Sequence, residues 1–295
     1  MPAEIFTIIA PVLFIALIGF AWDKRGLPFD TTMVAGLVTN IGAPCLILST
    51  MLDSRPDPRV ISDMALAAIC VSATAAAVAW AGLKAARMPM KVYLPALTFP
   101  NVGNMGVPLC MFAFGTEGLV LGIAFFTVHA LLQFTIGVAV AAGRVSVLLM
   151  MRNPVLWAAV LSVGLLLADA GLPRWITGTV DAIAGTVIPL MLLSLGISLS
   201  RLKPAGLKRS TIFAALRLIL GFAVGHAVGV ALGLEGVALA AVIIQAAMPT
   251  AVFNYLFAVQ FNNQPGEVAG IVVVSTVLSF LTLPLLLGYV IPLAG

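Results

Sequence analysis

Apolar runs long enough to cross a membrane recur along the chain and constrain its fold more than any other sequence feature. Most have about 18 to 27 residues, and a helix of about 20 residues crosses the hydrocarbon layer of a bilayer. Because 62% of the residues are hydrophobic and only 9% are charged, the chain lacks the polar surface of a soluble globule. The short alternating segments of a membrane β-barrel are absent. The sequence therefore predicts an all-α integral membrane protein.

Charge clusters and proline or glycine turns divide the chain into ten predicted spans. They cover residues 4–22, 31–52, 61–84, 91–113, 117–143, 154–169, 175–200, 209–233, 236–260 and 267–293. The connections are short, and the longest is a predicted cytoplasmic connector at 144–153. A chain of this kind is predicted to lie almost entirely in the lipid bilayer.

Lysine and arginine are distributed unevenly between the two sides of this topology. With the N-terminus outside, the inner loops hold eleven cations, namely Lys24, Arg25, Lys84, Arg87, Lys91, Arg144, Arg152, Arg201, Lys203, Lys208 and Arg209. The outer loops hold three, namely Arg55, Arg59 and Arg174. Since cytoplasmic loops carry the excess of cations, we expect both termini outside the cytoplasm and the protein in the cytoplasmic (inner) membrane. The net charge of +4 is too small and scattered to predict a nucleic-acid partner.

The two halves of the chain share motifs in the same order. The runs "APCLILS" and "IPLMLLS" each place a serine five residues after a proline, Pro100 has a counterpart in Pro249, and "GIAFFT" resembles "GIVVVS". The offsets of these pairs are 145, 149 and 148 residues. Five spans per copy make the second copy enter the membrane from the opposite side, as in the inverted repeats of secondary transporters. The predicted repeats are 1–143 and 154–295. We expect the proline–serine pairs to be structural.

The stretch "LTFPNVGNMGVPLCMF", at 97–112, interrupts the predicted fourth span. Pro100 removes a backbone donor, while Gly103 and Gly106 lower the cost of irregular backbone. Freed backbone groups survive in a membrane only where protein or a watery cavity receives them. From the rise of an α-helix, Pro100 and Pro249 each lie roughly 14 to 20 Å into the membrane. Spans 4 and 9 are therefore predicted to be broken and to cross near the midplane.

Polar residues around the two predicted breaks favour an anionic ligand. After each break, a new half-helix directs its N–H groups, which carry a partial positive charge, toward the midplane. Together with side-chain amides and a hydroxyl, these donors favour a carboxylate. The candidate substrate-binding residues are Pro100, Asn101, Gly103, Asn104, Pro249, Thr250 and Asn254. In the alternative interpretation, the prolines only kink packed helices and the asparagines bond freed carbonyl groups.

Ionisable and amide side chains inside the spans are further candidates, because such residues are often functional in membranes. His129 and Gln133 share a helix face, so they could handle protons or line a polar cavity, although a histidine satisfied inside the bundle explains the pattern equally well. Asp181 lies near the outer end of its span, where solvation would account for it. Gln245 could cap the turn broken by proline, and Arg217 could snorkel to the inner interface.

Sequence patterns of enzymes are missing from the chain. It contains no nucleotide-binding GxxxxGK[ST] loop, no HExxH motif, and no pattern of a serine triad or of paired carboxylates. We therefore predict no catalytic activity, no cofactor and no metal site.

Four runs resemble motifs of the auxin efflux carrier family, which includes plant PIN-type carriers and bacterial members. "FPNVGNMGVPL" resembles the signature of the family's fourth helix, and "RNPVLWAAVLSVGLLL" resembles the start of its second repeat. "IPLMLLSLGISL" and "AAMPTAVFNYLFAVQF" are similar to its seventh and ninth helices. The resemblance implies a scaffold formed by spans 1, 2, 6 and 7 and a mobile transport part formed by spans 3–5 and 8–10. It also implies elevator-like movement, usually within a homodimer.

The resemblance carries specific roles to matching positions. Pro100 and Pro249 match the crossover prolines, and Asn101 matches the asparagine that receives a substrate carboxylate. Bacterial members of the family are linked to small organic acids such as malate and malonate. Thr250 stands where the family has asparagine after the second proline, which leaves Asn254 as a candidate contact. The long central hydrophilic loop of many plant carriers is missing.

The predicted function is secondary active transport of a small organic anion. One alternative is a sodium-coupled organic anion symporter of the bile-acid transporter type, although the broken ninth span has no acidic residue to help hold sodium. Another alternative is a non-transporting receptor or assembly subunit. The short loops offer such a protein neither a docking surface nor an effector region.

Overall fold

A computed structural model of the protein describes residues 2–143 and 153–295. Most of the predicted connector, including Arg144 and Arg152, lies outside the described residues. The α-helices are α1 (Pro2–Lys24), α2 (Thr31–Leu37), α3 (Ala43–Ser54), α4 (Pro58–Ala85), α5 (Met90–Thr98), α6 (Val107–Leu132), α7 (Val138–Ala142), α8 (Pro154–Leu167), α9 (Arg174–Arg201), α10 (Leu207–Ala231), α11 (Gly236–Ala247), α12 (Val252–Gln260) and α13 (Pro265–Ala294). Three π-helical segments interrupt them, π1 (Val38–Gly42), π2 (Val102–Gly106) and π3 (Gln133–Gly137).

Helix length and hydropathy support a multi-pass membrane protein. Within the described residues, seven continuous helical stretches are long and apolar enough to cross a bilayer. One of them, at 102–142, has 41 residues, and its backbone leaves helical geometry at Gly115 with φ 63° and ψ −142°. This is where the sequence separates spans 4 and 5. The seven long apolar stretches establish an all-helical membrane protein. Because α8 and α11 are shorter, the count of ten spans stays a prediction.

Helices α1 and α9 pack with their backbones in close contact. A Cβ atom on Gly196 would lie 1.8 Å from the carbonyl oxygen of Ala16, and one on Gly19 would lie 2.2 Å from that of Leu193. Small residues permit such close packing of helices in membranes. At the end of the pair, Arg201 Nε donates to Asp23 Oδ1 at 2.6 Å. Since α9 also packs on α3, and α3 on α8, these helices form one group.

A second group of helices surrounds the interrupted backbone. Helix α10 packs on α11, α13 and α4, and α6 packs on α4 and α11. Nearly all of α11 is buried, whereas α1, α4, α10 and α13 each expose large apolar side chains, such as Phe14, Trp80, Ile219 and Leu285. Exposed apolar faces of this extent suit contact with lipid. Helix α11 and the two breaks therefore lie inside the protein, whereas the long helices, and α12 at Leu256 and Val259, expose apolar side chains.

Candidate functional site

The backbone is broken at both predicted prolines. Helix α5 ends at Thr98, and Phe99 is extended with φ −104° and ψ 98° before π2 and α6 continue the chain. Helix α11 ends at Ala247, and an extended stretch through Ala251 precedes α12. Because a proline lacks an N–H donor and crowds the preceding turn, each helix ends just before its proline.

The two extended stretches pair with each other in antiparallel orientation. Pro100 lies opposite Thr250, the N–H of Asn101 donates to the carbonyl of Pro249 at 2.7 Å, and the N–H of Ala251 donates to the carbonyl of Phe99 at 3.2 Å. The backbone groups freed by one break thus bond those freed by the other, which avoids the cost of unpaired groups in a membrane interior. The sequence places the breaks but does not predict this pairing.

Thr250 and Asn254 bond to the backbone of the first break. The hydroxyl of Thr250 donates to the carbonyl of Ala96 at 2.9 Å, and its N–H donates to Ser275 Oγ at 3.1 Å. Asn254 Nδ2 donates to the carbonyl of Phe99 at 3.0 Å. Neither side chain lines the cavity described below. For these two residues the geometry matches the alternative in which polar side chains bond freed carbonyl groups.

The Thr250 hydroxyl gives a testable effect on stability. We expect Thr250→Val to lower the free energy of unfolding by about 1–3 kcal/mol, because the buried carbonyl of Ala96 loses its donor. Thr250→Ser keeps the hydroxyl and should retain most of the stability. Melting temperatures of the purified proteins in detergent measure the difference. A valine variant as stable as the serine variant would show that this hydrogen bond contributes little.

Arg217 of α10 is buried beside the two breaks, with 1% of its surface exposed. The prediction that it snorkels to the interface is wrong. Its guanidinium donates to the carbonyl groups of Leu97, Ala246 and Met248. These carbonyls belong to the C-terminal ends of α5 and α11, where the last four carbonyls of a helix lack intrahelical partners. Gly221 makes room, because a Cβ atom there would lie 2.7 Å from Arg217 Nη2.

A cavity lies beside the paired segments, where the half-helices after the breaks begin. Its volume, counted as space for the centres of water-sized molecules, is about 60 Å³, within about 660 Å³ of empty space that includes the open exterior. One wall comes from α2, π1, α3, α8 and α9, and the other from the broken segments, α6, π3 and α12. The cavity thus lies between the two groups of helices. The predicted residues that line it are Pro100, Asn101, Gly103, Asn104 and Gln133.

All three π-helical segments contribute to the cavity wall. Thr39 lies in π1, Gly103 and Asn104 lie in π2, and Gln133 and Phe134 lie in π3. Each segment has a hydrogen bond from an N–H to the carbonyl five residues earlier. The donors and acceptors are Ala43 and Val38, Val107 and Val102, and Val138 and Gln133. Such π-helical turns are rare and often occur at functional sites.

Three polar side-chain atoms at the cavity have no hydrogen-bond partner among the described residues. They are Asn101 Nδ2, Gln133 Nε2 and Ser194 Oγ. Asn101 and Gln133 are each 4% exposed. An unpaired buried donor costs about 1–3 kcal/mol, so these atoms favour a ligand that accepts hydrogen bonds. Ser194 belongs to one of the proline–serine pairs expected to be structural, and the tertiary structure places it in the cavity wall.

The electrostatics of the cavity favour an anion. Within the described part of the chain, no aspartate, glutamate, lysine or arginine lines it. Asn101 and Ala251, which precede the two half-helices, both line it. Each helix start carries a partial charge of about +0.5. Two such ends together supply about one positive charge without a cationic side chain.

His129 and Gln133 have different surroundings, although they share a helix face. His129 is fully buried, its Nδ1 lies 3.1 Å from Ser72 Oγ, and its ring packs between those of Phe99 and Phe125. It does not line the cavity, whereas Gln133 does. The structure therefore brings only Gln133 of this pair to the cavity wall.

The other two predicted polar residues lie elsewhere. Gln245 is fully buried, and its Nε2 donates to the carbonyl of Gly122 in α6 at 3.1 Å. Asp181 is exposed near the start of α9 and accepts a hydrogen bond from Ser49 Oγ at 2.7 Å. Gln245 thus ties α11 to α6, and Asp181 links α9 to α3.

Comparison with known proteins finds similarity to membrane transport proteins. The family described as membrane transport protein matches residues 4–147 and 138–287. An uncharacterized transporter of Methanothermobacter thermautotrophicus is 28% identical over 291 residues, which cover 93% of this chain and 94% of that protein. An uncharacterized transporter of Methanocaldococcus jannaschii is 26% identical over 63% of each chain. Auxin efflux carrier component 1 of Arabidopsis thaliana is 29% identical over 123 residues, which cover 41% of this chain and 19% of that carrier. The chain therefore belongs to the auxin efflux carrier family of membrane transport proteins.

Proposed function

We propose that the protein is a secondary active transporter of small organic acids, with the substrate carboxylate bound at the start of the half-helix that follows Asn101. The observation that carries the proposal is a pair of amide donors, Asn101 Nδ2 and Gln133 Nε2, which have no partner in the described part of the chain and lie in a cavity at two half-helix N-termini. A carboxylate accepts hydrogen bonds from several donors and complements the partial positive charge of the helix starts. Ser194 Oγ can add a donor from the opposite wall.

The rest of the cavity favours an acid with one carboxylate and an apolar remainder. Phe126, Phe134 and Phe253 line it together with Met191 and Val155. A second carboxylate would have to be buried against these side chains without a cation, which costs several kcal/mol. We therefore expect monocarboxylates to be preferred over dicarboxylates such as malate.

The location of the cavity suits alternating access. We propose ten spans in two inverted repeats, with α1, α2, α3, α8 and α9 as the scaffold and the other helices as the moving part. The cavity lies between these two groups, so sliding of the moving part would expose it to one side of the membrane and then to the other. The broken helices would travel with Asn101 as one unit, because the pairing around Pro100 and Thr250 joins them. A homodimer in the cytoplasmic membrane with both termini outside is the arrangement we expect.

Counterflow in proteoliposomes tests the proposal directly. Vesicles containing the purified protein would be loaded with one unlabelled acid. Uptake of labelled monocarboxylates and dicarboxylates would then be compared in separate vesicle samples. We expect transient accumulation of at least one monocarboxylate and weaker accumulation of malate. Protein-free vesicles and vesicles containing the Asn101→Asp variant are the controls. If acids bind to the protein but none crosses the bilayer, the receptor alternative gains support and the transporter proposal fails.

A further inference from the structure

The buried guanidinium of Arg217 is a feature that carboxylate binding does not use. It contacts carbonyls at the C-terminal ends of α5 and α11, whereas the cavity lies at the N-terminal ends of the following half-helices. No carboxylate of the described residues forms an ion pair with Arg217. The ion pairs of the described residues involve other arginines. A buried cation without a carboxylate partner requires another source of negative charge.

The two helix ends supply that charge. Each C-terminus carries a partial charge of about −0.5, and together the ends of α5 and α11 balance one cation. Leu97 lies in the last turn of α5, and Ala246 and Met248 lie at the end of α11. One side of the paired segments thus carries a full negative charge matched by Arg217. The cavity carries a partial positive charge that no charged side chain of the described residues lining it balances.

Carbonyl oxygens at broken helix ends are also the groups that coordinate sodium in transporters with interrupted helices. In this protein the same groups already bind a guanidinium. We propose that Arg217 is the permanent counter-cation of the C-terminal ends of α5 and α11. Its guanidinium occupies the position that an exchangeable sodium ion would need, and transport therefore requires no sodium.

Arginine suits this position because it donates to several carbonyls at once. Its guanidinium bridges α5 to α11, so it holds the two broken helices at a fixed separation as well as neutralising their ends. Lysine would supply the charge from one ammonium group and could reach fewer carbonyls. Arg217 is therefore a positioning residue that acts through the helix ends and does not touch the substrate.

The experiment compares Arg217→Ala, Arg217→Lys and Arg217→Met with the wild type and with Lys208→Met, which removes an exposed charge from the same helix. Counterflow and the melting temperature in detergent are measured with and without millimolar guanidinium chloride. We expect Arg217→Met to lose transport at least about ten-fold, and Arg217→Lys to lose less. Guanidinium should raise the melting temperature and transport of Arg217→Ala, which leaves a space for it. The methionine variant should not respond.

Several results would overturn the inference. These are a methionine variant with wild-type transport and melting temperature, an alanine variant that does not respond to guanidinium, and sodium-stimulated uptake by the wild type. The wild-type sodium measurement applies even if no Arg217 variant folds. The transport readout rests on the proposed function, but the melting temperature does not. Absence of acid transport by the wild type would defeat the proposed function alone, and sodium-stimulated acid transport would defeat only the inference.

Discussion

Replacing Asn101 with alanine is expected to weaken binding of the transported acid by about 10- to 100-fold, the value of one hydrogen bond to a charged group. The reason is local. Asn101 Nδ2 is buried at the cavity and has no hydrogen-bond partner among the described residues, so its removal takes a donor from the ligand and leaves no acceptor of those residues unsatisfied. The backbone N–H of Asn101, which donates to the carbonyl of Pro249, remains in the variant. The fold and the melting temperature should therefore change little.

Asn101→Asp tests whether the ligand at this position is an anion. The aspartate has nearly the same shape, but its carboxylate would occupy the positive end of the half-helix and repel a second anion. We expect it to abolish binding. Asn40→Ala is the matched control, because Asn40 is an exposed amide in π1 that does not line the cavity. Binding isotherms of the purified proteins with a monocarboxylate provide the measurement. Unchanged affinity in Asn101→Ala would remove this residue from the binding site.

Gly196→Ala is expected to destabilise the protein by about 3 kcal/mol, at the upper end of the cost of overpacking. The added methyl group would lie 1.8 Å from the carbonyl oxygen of Ala16, which is backbone and cannot rotate away. Helices α1 and α9 would have to separate, and the bond between Arg201 and Asp23 would be strained. A large fall in melting temperature is the expected observation.

Gly185→Ala is the matched control for this effect. Gly185 lies on the same helix, but a Cβ atom there would meet no atom of the described residues within 4 Å. Alanine favours a helix interior by about 1 kcal/mol over glycine, so this variant should be at least as stable as the wild type. If both substitutions lowered the melting temperature equally, contact between α1 and α9 would not be the cause.

The position of each helix break could be read from the sequence, because proline acts on the turn that contains it. Pro100 and Pro249 end their helices where expected. The same local reasoning could not separate Asn101 from Asn254. Both are amides next to a broken helix, yet one has a free donor at the cavity and the other bonds the carbonyl of Phe99. Their difference depends on which distant segment lies opposite.

The contacts of Arg217 could not be predicted from the neighbouring sequence. An arginine in an apolar run is usually expected to extend its charge to the interface. Nothing in the neighbouring sequence indicates that the ends of α5 and α11 would meet beside it. Gly221 and Gly225 on the same helix are a weak signal of close packing, since small residues on one face let another backbone approach.

By itself the sequence determined the membrane-embedded helical class, the family likeness and the two breaks, because hydrophobic length and proline chemistry act within one segment. Only the tertiary structure decided which donors are free, since that depends on contacts between segments more than a hundred residues apart, such as Asn101 with Pro249 and Arg217 with Leu97. The Thr250 hydroxyl and Asn254 Nδ2 donate to carbonyls of the first break, whereas atoms of Asn101, Gln133 and Ser194 at the cavity have no partner among the described residues.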